Sequence, residues 1–355
     1  MKRSTQKRVF VGLSGGVDSS VAALRLLQAG YEVVGVFIKV WQPDFVQCNW
    51  EQERLDAMRV AAHLQIPFLT CDAETAYKQD VADHFIAEYL AGRTPNPDVM
   101  CNQYVKFGRF LEFATQHGAD YIATGHYAQK RTTNAGYQLW RGNDTEKDQS
   151  YFLWTLTQTQ LSKTLLPVGE SNKATIRKEA ERAKLPVAQK KDSQGVCFLG
   201  HIDIPEFLSH FTELKEGLVY DTSGKHIGVH KGALVYTIGQ RHGFTISSTD
   251  NARTPYFVVK KDVQKNTLIV SKTAPTAAVV DKDIHLTDCN WIPNMPTANT
   301  LEVQTRYRQK PHRAQVTIGT PESTVSLPNT AEQPVSGQSA VFYQGDQCLG
   351  GGIIA

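Results

Sequence analysis

The feature that most limits the fold is an alternation of two hydrophobic periods along the first third of the chain. Short runs rich in β-branched and aromatic residues, Val9 to Leu13, Tyr31 to Ile38, Ile66 to Cys71 and Tyr121 to Thr124, are separated by stretches with helical spacing. Those stretches are Val21 to Gln28, closed by Gly30, then Glu51 to Leu64, Thr75 to Ala91 and Asn102 to Gln116. A strand regained only after a helix runs parallel to its predecessor. The pattern predicts an α/β domain on a doubly wound parallel sheet. A hairpin follows over Gln129 to Leu139, turning at Asn134-Ala135-Gly136, and then a charged helix at Lys173 to Lys184. From about Pro205 the helical period mostly gives way to short pieces: LVYD, HIGVH, ALVYTIG, YFVVKK, TLIVS and AVFYQG, parted by Gly, Asn and Asp turns. The expected domains are 1–205, 206–275 and 276–355, the last two smaller and β-rich, with the final boundary inside the small-residue stretch SKTAPTAA.

Composition removes several classes. With 41% hydrophobic and 21% charged residues and a mean hydropathy of -0.34, the chain is neither disordered nor collagen-like nor membrane-resident. No run approaches the roughly 18 apolar residues of a bilayer span, and MKRSTQKRVF has charge without the apolar stretch of a secretion signal. Net charge is only +3, so an RNA partner would be held by local basic patches. The six cysteines, at positions 48, 71, 101, 197, 289 and 348, form no C-x-x-C pair. A bound zinc or iron–sulfur cluster is therefore not expected, and the cytoplasm is the natural compartment.

Gly12-Leu13-Ser14-Gly15-Gly16-Val17-Asp18-Ser19-Ser20 lies between the first strand and the first helix, where doubly wound sheets bind ligands. Its glycines permit positive φ and close backbone approach, Ser14 and Ser19 offer hydroxyls, and the helix start presents free N–H groups to an anion. This is a phosphate cradle. It has neither the Walker spacing G-x-x-x-x-G-K-[ST], since no lysine is present, nor the dinucleotide spacing G-x-G-x-x-G. A lysine-free cradle with an aspartate suits a departing pyrophosphate, Asp18 helping to hold Mg2+. The plainer reading is a Gly/Ser turn that only caps a helix, and the strand–loop–helix context of so many specified residues outweighs it. SGGVDS resembles the signature of the PP-loop ATP pyrophosphatases, which adenylate an oxygen and release pyrophosphate.

Two cysteines stand in unusual settings. RTPNPDVMCN (Arg93 to Asn102) runs into a helix expected to begin near Cys101, and a thiol at a helix amino terminus has a lowered pKa and favours the thiolate nucleophile. Asp98, one turn earlier, is placed to pass protons or, more plainly, to cap the helix. Cys197 sits in KKDSQGVCF (Lys190 to Phe198), whose lysines favour a thiolate; its plainer reading is a buried thiol beside Val196 and Phe198. That plainer reading holds for the other four cysteines. Thr305-Arg306-Tyr307-Arg308-Gln309-Lys310 combines cations for phosphates with an aromatic face for stacking, weighed evenly against a solvated strand edge.

Taken in order, SGGVDS, RTPNPDVMCN, ATGHYA (Ala123 to Ala128), NDTEKDQSYFLW (Asn143 to Trp154), KKDSQGVCF, YTIGQRHG (Tyr236 to Gly243), TRYRQ and SGQSAVFYQGDQCLGGGII (Ser336 to Ile354) closely resemble the bacterial tRNA-specific 2-thiouridylases over essentially the whole chain. The resemblance implies an adenine-nucleotide alpha-hydrolase-like first domain and a β-barrel as the last. It implies ATP, with Mg2+, over Gly12, Leu13, Ser14, Gly15, Gly16, Val17, Asp18, Ser19, Ile38 and Gly125. The C2 oxygen of the anticodon wobble uridine would be adenylated, and sulfur delivered from a persulfide on Cys197 that an upstream carrier protein supplies. Cys101, as nucleophile, would either cleave that persulfide or end in a disulfide with Cys197; Asp98 would be the acid/base. Asn96, Pro97, Asp98, His126, Lys147, Asp148, Gln149, Arg306, Tyr307 and Gln338 match positions at the target base or tRNA, and base flipping is expected because C2 is unreachable in a stacked loop. His126 would otherwise read as a satisfied strand-end histidine.

Two positions depart from the pattern: Ile38 stands where methionine is usual, and Ser336 where proline is common. Competing readings are a lysidine synthetase, which needs no sulfur-carrying cysteine; an amidotransferase-type synthetase, which needs a glutaminase; and a 2-thiocytidine-type enzyme, which would show C-x-x-C pairs. An RNA-binding protein with a vestigial nucleotide site would not need SGGVDS with Cys101 and Cys197 intact.

Overall fold

The computed structural model describes residues 6–46, 50–191, 203–247, 255–276, 283–319 and 321–355. Its first sheet is parallel, β1 (Arg8–Gly12), β2 (Glu32–Lys39), β3 (Phe68–Asp72) and β4 (Tyr121–Ala123), joined later by β7 (Thr164–Leu165), in the order β3-β2-β1-β4-β7. Val9 stands opposite both Val33 and Tyr121. The chain builds outward from β1 in one direction and then restarts on its other side with β4, so the loops after β1 and β4 face each other across the reversal of strand order.

Alternation along the strands explains the two layers of helices. Val9, Val11, Val33 and Phe37 pack beneath α1 (Val17–Gln28), α2 (Trp50–His63) and α8 (Lys173–Arg182). Phe10, Val34, Val36 and Ile122 face the opposite layer, where Phe110 and Ala114 of α6 (Phe110–Gln116) cover them. Burying each such side chain contributes roughly 1.5–3 kcal/mol.

Two helical stretches contain π turns. α3 (Glu74–Tyr77) passes through π-helical Lys78–Asp83 into α4 (His84–Leu90), and α5 (Pro97–Met100) passes through π-helical Cys101–Arg109 into α6. The second corrects the expected helix start near Cys101. Asn96 caps the helix by accepting from the backbone N–H groups of Asp98 and Val99, and Pro97 opens it. Cys101 therefore lies a full turn inside.

The hairpin is β5 (Ala128–Thr133) and β6 (Gly136–Arg141), followed by the short α7 (Gln158–Ser162). After α9 (Ile204–Ser209), β8 (Gly217–Asp221), β9 (His226–His230), β10 (Phe244–Ile246), β11 (Phe257–Asp262) and β12 (Thr267–Ser271) form a second sheet in the order β10-β9-β8-β12-β11. ALVYTIG is not one of these strands. Gly232, at φ 130, turns the chain into a single 3-10 turn at Ala233–Val235. The carbonyl of Tyr236 then accepts from the Lys261 ammonium at 2.7 Å.

The last unit is a six-stranded antiparallel barrel of β13 (Asp283–Trp291), β14 (Thr300–Gln304), β15 (His312–Thr317), β16 (Ser323–Ser326), β17 (Ser339–Gln344) and β18 (Gln347–Ile354), closed by pairing of β13 with β18. Its β18 continues onto the hairpin, Gln347 opposite Trp140 and Cys348 opposite Leu139. Trp154 is buried beneath the barrel and donates to Ser339 Oγ at 3.0 Å. A Cβ on Gly351 would stand 2.8 Å from its indole, so the glycine run of β18 is what admits the ring. No helix among the described residues is long and apolar enough to cross a membrane.

Candidate active site

The loop after β1 folds on itself. Ser19 Oγ lies 3.3 Å from Ser14 Oγ and donates to the Gly16 carbonyl at 3.2 Å, while Ser20 Oγ donates to the same carbonyl at 2.7 Å. Gly16 is the N-cap of α1 and makes no side-chain cap bond, so the helix start presents backbone donors rather than a capped end. Gly15, at φ 71, packs on α2, where an added Cβ would stand 2.6 Å from the Glu53 carbonyl oxygen. Ile38 closes the floor beside Gly12.

The loop after β4 presses directly on this cradle. A Cβ on Gly125 would lie 2.6 Å from the Ser19 amide nitrogen and 2.8 Å from the Asp18 carbonyl carbon. Tyr127, two residues on, donates its phenol to Asp18 Oδ1 at 2.6 Å, and Lys173 at the start of α8 spans both oxygens of the same carboxylate at 2.7 and 2.8 Å. The cradle without a lysine in its sequence thus acquires one from a distant helix. Lys173 is held there by Asp144, whose Oδ2 accepts the Lys173 backbone N–H at 2.8 Å. Asp18 is the expected magnesium ligand. As it stands its oxygens are taken by a cation and a phenol, and among the described residues no group of three His, Cys, Asp or Glu gathers to hold a metal. The residues do not fit a protein-held ion, and no step below is routed through one.

His126, between Gly125 and Tyr127, points the other way. Its ring is buried, bonded through Nδ1 to Thr124 Oγ1 at 2.8 Å and 5.7 Å from the Phe107 ring. Burial, with the Lys106 charge nearby, pushes its pKa well below the usual histidine range, so it stands as a neutral ring. Cys101 is buried in the same helical layer, and burial raises its thiol pKa; Asp98 raises it further and Lys106 opposes both. The lowered pKa expected from a helix terminus is therefore absent, because the terminus is at Pro97. Asp98 is exposed, yet the protein packed around it partly desolvates its carboxyl and raises its pKa, again opposed by Lys106. Next to Cys101, Asn102 donates to the Phe152 carbonyl at 3.1 Å while its own buried Oδ1 has no partner. Lys106 was not singled out from the sequence, nor was Lys173. Cys197 lies outside the described residues, although Lys190, near the start of its segment, pairs with Asp56 of α2 at 2.8 Å.

Three units meet at the turn preceding Cys101. Thr94 N donates to the Ser336 carbonyl at 2.9 Å, Gln338 Nε2 donates to the carbonyls of Thr94 at 2.7 Å and Pro95 at 3.3 Å, and Thr94 Oγ1 meets Thr237 Oγ1 at 3.1 Å. Ser336, where proline is common, makes its contact through the backbone.

The expected RNA residues form a second group. Tyr307 packs on Phe152 with ring centroids 4.4 Å apart, and Arg308 reaches the Glu146 carbonyl at 3.4 Å, so the loops bearing Lys147 and Tyr307 are adjacent. Arg306 turns inward to the Ile238 carbonyl at 2.7 Å. Gln149 Oε1 accepts from the Tyr127 backbone N–H at 3.0 Å. Asp148 is buried, paired with Arg141 at 2.7 Å and accepting from Gly142 N, Ser150 N and Ser150 Oγ. All its acceptor positions are filled from within, so it shapes the loop and has no free oxygen for tRNA. The cysteines read as filler are buried where described: burial pushes Cys71 to about 11 and Cys348 to about 12.

Fold and loop together define a PP-loop nucleotide-binding protein extended by two β-rich units. Family models match it in series: the tRNA methyl transferase HUP domain over residues 7–201, the tRNA methyl transferase PRC-barrel domain over 205–272 and the Aminomethyltransferase beta-barrel domain over 281–354. The tRNA-specific 2-thiouridylase MnmA of Photorhabdus laumondii is 42% identical over 361 residues, covering 100% of this chain and 98% of the relative. That of Proteus mirabilis is 43% identical over 364 residues, with 100% and 98% covered, and that of Francisella tularensis subsp. novicida 43% over 357 residues, with 98% and 99% covered. A solved 4-thiouridine synthetase–RNA complex with bound ATP is similar at 18% identity and a TM-score of 0.36, over 57% of this chain and 50% of that one. The chain belongs to the family of tRNA-specific 2-thiouridylases.

Proposed function

We propose that the protein is an ATP-dependent tRNA 2-thiouridylase, its catalytic unit over residues 1–205 and its β-rich units over 206–275 and 276–355, working in the cytoplasm with a sulfur-carrier protein upstream. The observation that carries the reading is the tripeptide Gly125-His126-Tyr127. Gly125 and Tyr127 touch the nucleotide cradle, and His126 packs on the helix that bears Cys101. Cradle and thiol thus share one wall, as adenylation and sulfur delivery at a single carbon require.

ATP binds with its phosphates over Ser14 to Ser19 and Lys173. The wobble uridine, flipped against the Asn96 to Asp98 turn, attacks the α-phosphate through its C2 oxygen, Asp98 takes up the N3 proton, and pyrophosphate leaves. AMP is a far better leaving group than oxide, so the outer sulfur of a Cys197 persulfide replaces it at C2. The Cys101 thiolate then breaks the S–S bond, freeing 2-thiouridine and leaving a Cys101–Cys197 disulfide that an external dithiol reduces. Alternatively Cys101 first attacks Cys197 Sγ, and the hydrosulfide set free displaces AMP. Lys147, Tyr307 and Arg308 hold the anticodon arm. Methyl transfer, the activity in the family models' descriptions, has no use for an adenylating loop beside a thiol.

The test is incubation of the full chain with tRNA, ATP, magnesium and a persulfide donor, followed by mass spectrometry of anticodon nucleosides and assay of AMP and pyrophosphate. The wild type should form 2-thiouridine, and Cys197→Ser should keep tRNA-dependent pyrophosphate release while losing thiolation. Absence of tRNA-dependent AMP from the wild type would sink the proposal.

A further inference from the structure

The π turn over Cys101–Arg109 has a chemical consequence. In an α-helix residues five apart lie on different faces, but in a π turn the i→i+5 hydrogen bond sets the fifth residue over the first. Lys106 therefore lies about one turn beyond Cys101 on the same side of the helix rather than across it. Asp98 is three residues before Cys101, and the Cys101 N–H closes the first turn on the Asp98 carbonyl, so carboxylate and thiol are also neighbours on one face. Asp98, Cys101 and Lys106 thus follow one another along one side of the helix, Asp98 exposed, Lys106 half-buried and Cys101 buried.

We propose that Lys106 is a positioning cation that lets one negative charge reside on either Asp98 or Cys101. The exchange is balanced within the trio: the proton leaves the Cys101 sulfur for an Asp98 oxygen, the lysine stays protonated, and the net charge does not change. This rests on the thiouridylase reading, in which Asp98 takes the N3 proton during adenylation, returns it to N3 as sulfur displaces AMP, and as a carboxylate again accepts the Cys101 proton. A thiol this buried is a poor acid, and a fixed cation one turn away is the remedy the helix provides.

Among the described residues, the charges that act on the Cys101 thiol are those of Lys106 and Asp98. Tyr77 of α3 and Tyr89 of α4 share the apolar cluster of Cys101, and burial lifts the Tyr89 phenol to about 12. On the β4 side His126 is a neutral ring. Tyr151, from the segment after the hairpin, is pushed above the usual tyrosine range. Lys78, Asp80 and Asp83 of the π turn before α4 are exposed to solvent. The shifts of Asp98 and Cys101 agree in sign: Lys106 opposes the rise of each, and Asp98 adds to the rise of Cys101.

The experiment measures the pH midpoint of Cys101 alkylation by iodoacetamide, peptide by peptide, in the full chain without ATP or tRNA. Relative to wild type, Lys106→Met should move the midpoint up by about one pH unit or more and Asp98→Asn should move it down, as removal of an opposite or like charge requires. Lys106→Arg should hold it near the wild-type value. Lys106→Gln serves if the methionine variant does not fold by circular dichroism. A wild-type midpoint in Lys106→Met, or an arginine variant that shifts as the methionine one does, overturns the proposal. Thiolation by the wild type is scored separately, so failure of the thiouridylase reading shows as absent 2-thiouridine with the alkylation shifts intact.

Discussion

Replacing Gly125 by alanine tests the contact on which the active-site reading rests. The new methyl carbon would sit 2.6 Å from the Ser19 nitrogen and 2.8 Å from the Asp18 carbonyl carbon, where few real Cβ contacts fall below 3.4 Å. The gap must open by roughly 0.8 Å, and both obstructing atoms are backbone, so no side chain can swing aside. Overpacking of this kind costs about 1–3 kcal/mol, a fall in the melting midpoint of roughly 2–4 °C per kcal/mol. The chain stays folded. The larger effect is on chemistry, since a displacement approaching 1 Å between reacting groups costs about 10²-fold in rate. tRNA-dependent pyrophosphate release should drop by about that factor, with binding of tRNA nearly unchanged if, as proposed, Lys147, Tyr307 and Arg308 hold the anticodon arm. A Gly125→Ala enzyme that is destabilised but releases pyrophosphate at the wild-type rate would refute the reasoning.

Further outcomes follow from other contacts. Lys173→Met leaves Asp18 without its cation and should slow pyrophosphate release about 10²-fold, the cost of losing one preorganised charge donor, with partial recovery in Lys173→Arg; steady-state assays read both. Arg25 grips Glu179 at 2.6 Å while donating to the Pro167 carbonyl and Ser171 Oγ, both at 2.8 Å, and this pairing lowers the Glu179 pKa. Because the folded value lies below the unfolded one, the pair stabilises above about pH 4.3 and the benefit fades as pH falls through the lowered pKa. Glu179→Gln should therefore lose about 1–2 kcal/mol in urea unfolding at pH 7 and little at pH 3. Lys147→Ala should weaken tRNA binding and flatten the slope of log K against log salt by roughly one unit at most, whatever the tRNA sequence.

What was legible in the chain was what local chemistry encodes. Strand and helix periods gave the parallel sheet, and the glycine–serine loop announced its position by following a strand. Asn96-Pro97 also carried its signal, an N-cap before a proline, which an expected helix start near Cys101 passes over. Lys173 had no local mark: it reaches Asp18 from 155 residues away, placed by Asp144 in a segment whose own residues looked like RNA contacts. Asp148 misled for the same reason, since burial and an arginine partner are properties of the fold rather than of a run of polar letters. Lys106 was hidden by the π turn, which changes which residues share a face without changing composition. The hairpin was read correctly as a hairpin, yet nothing within it told that the barrel's last strand would pair with it.

That pairing bears on Gln338, for which two roles compete. A direct tRNA contact would need its side chain turned to solvent. Here the amide donates to the carbonyls of Thr94 and Pro95, and the preceding Gly337, at φ 88, brings the barrel so close that a Cβ would lie 2.9 Å from the Thr94 nitrogen. The barrel cannot move freely against this turn, because β18 is already paired to β6 and Trp154 is seated beneath it. Gln338 is thus a clasp that fixes the Asn96 to Asp98 turn from a rigid neighbour. Gln338→Ala should lower kcat for adenylation about tenfold while leaving KM for tRNA within a factor of two, the pattern of an interaction felt only in the transition state. Its loss of two hydrogen bonds is worth about 1–3 kcal/mol in holding the turn. A variant in which KM rises tenfold at constant kcat would return Gln338 to the RNA surface and leave the turn to be held through Thr94 by Thr237 and the Ser336 carbonyl.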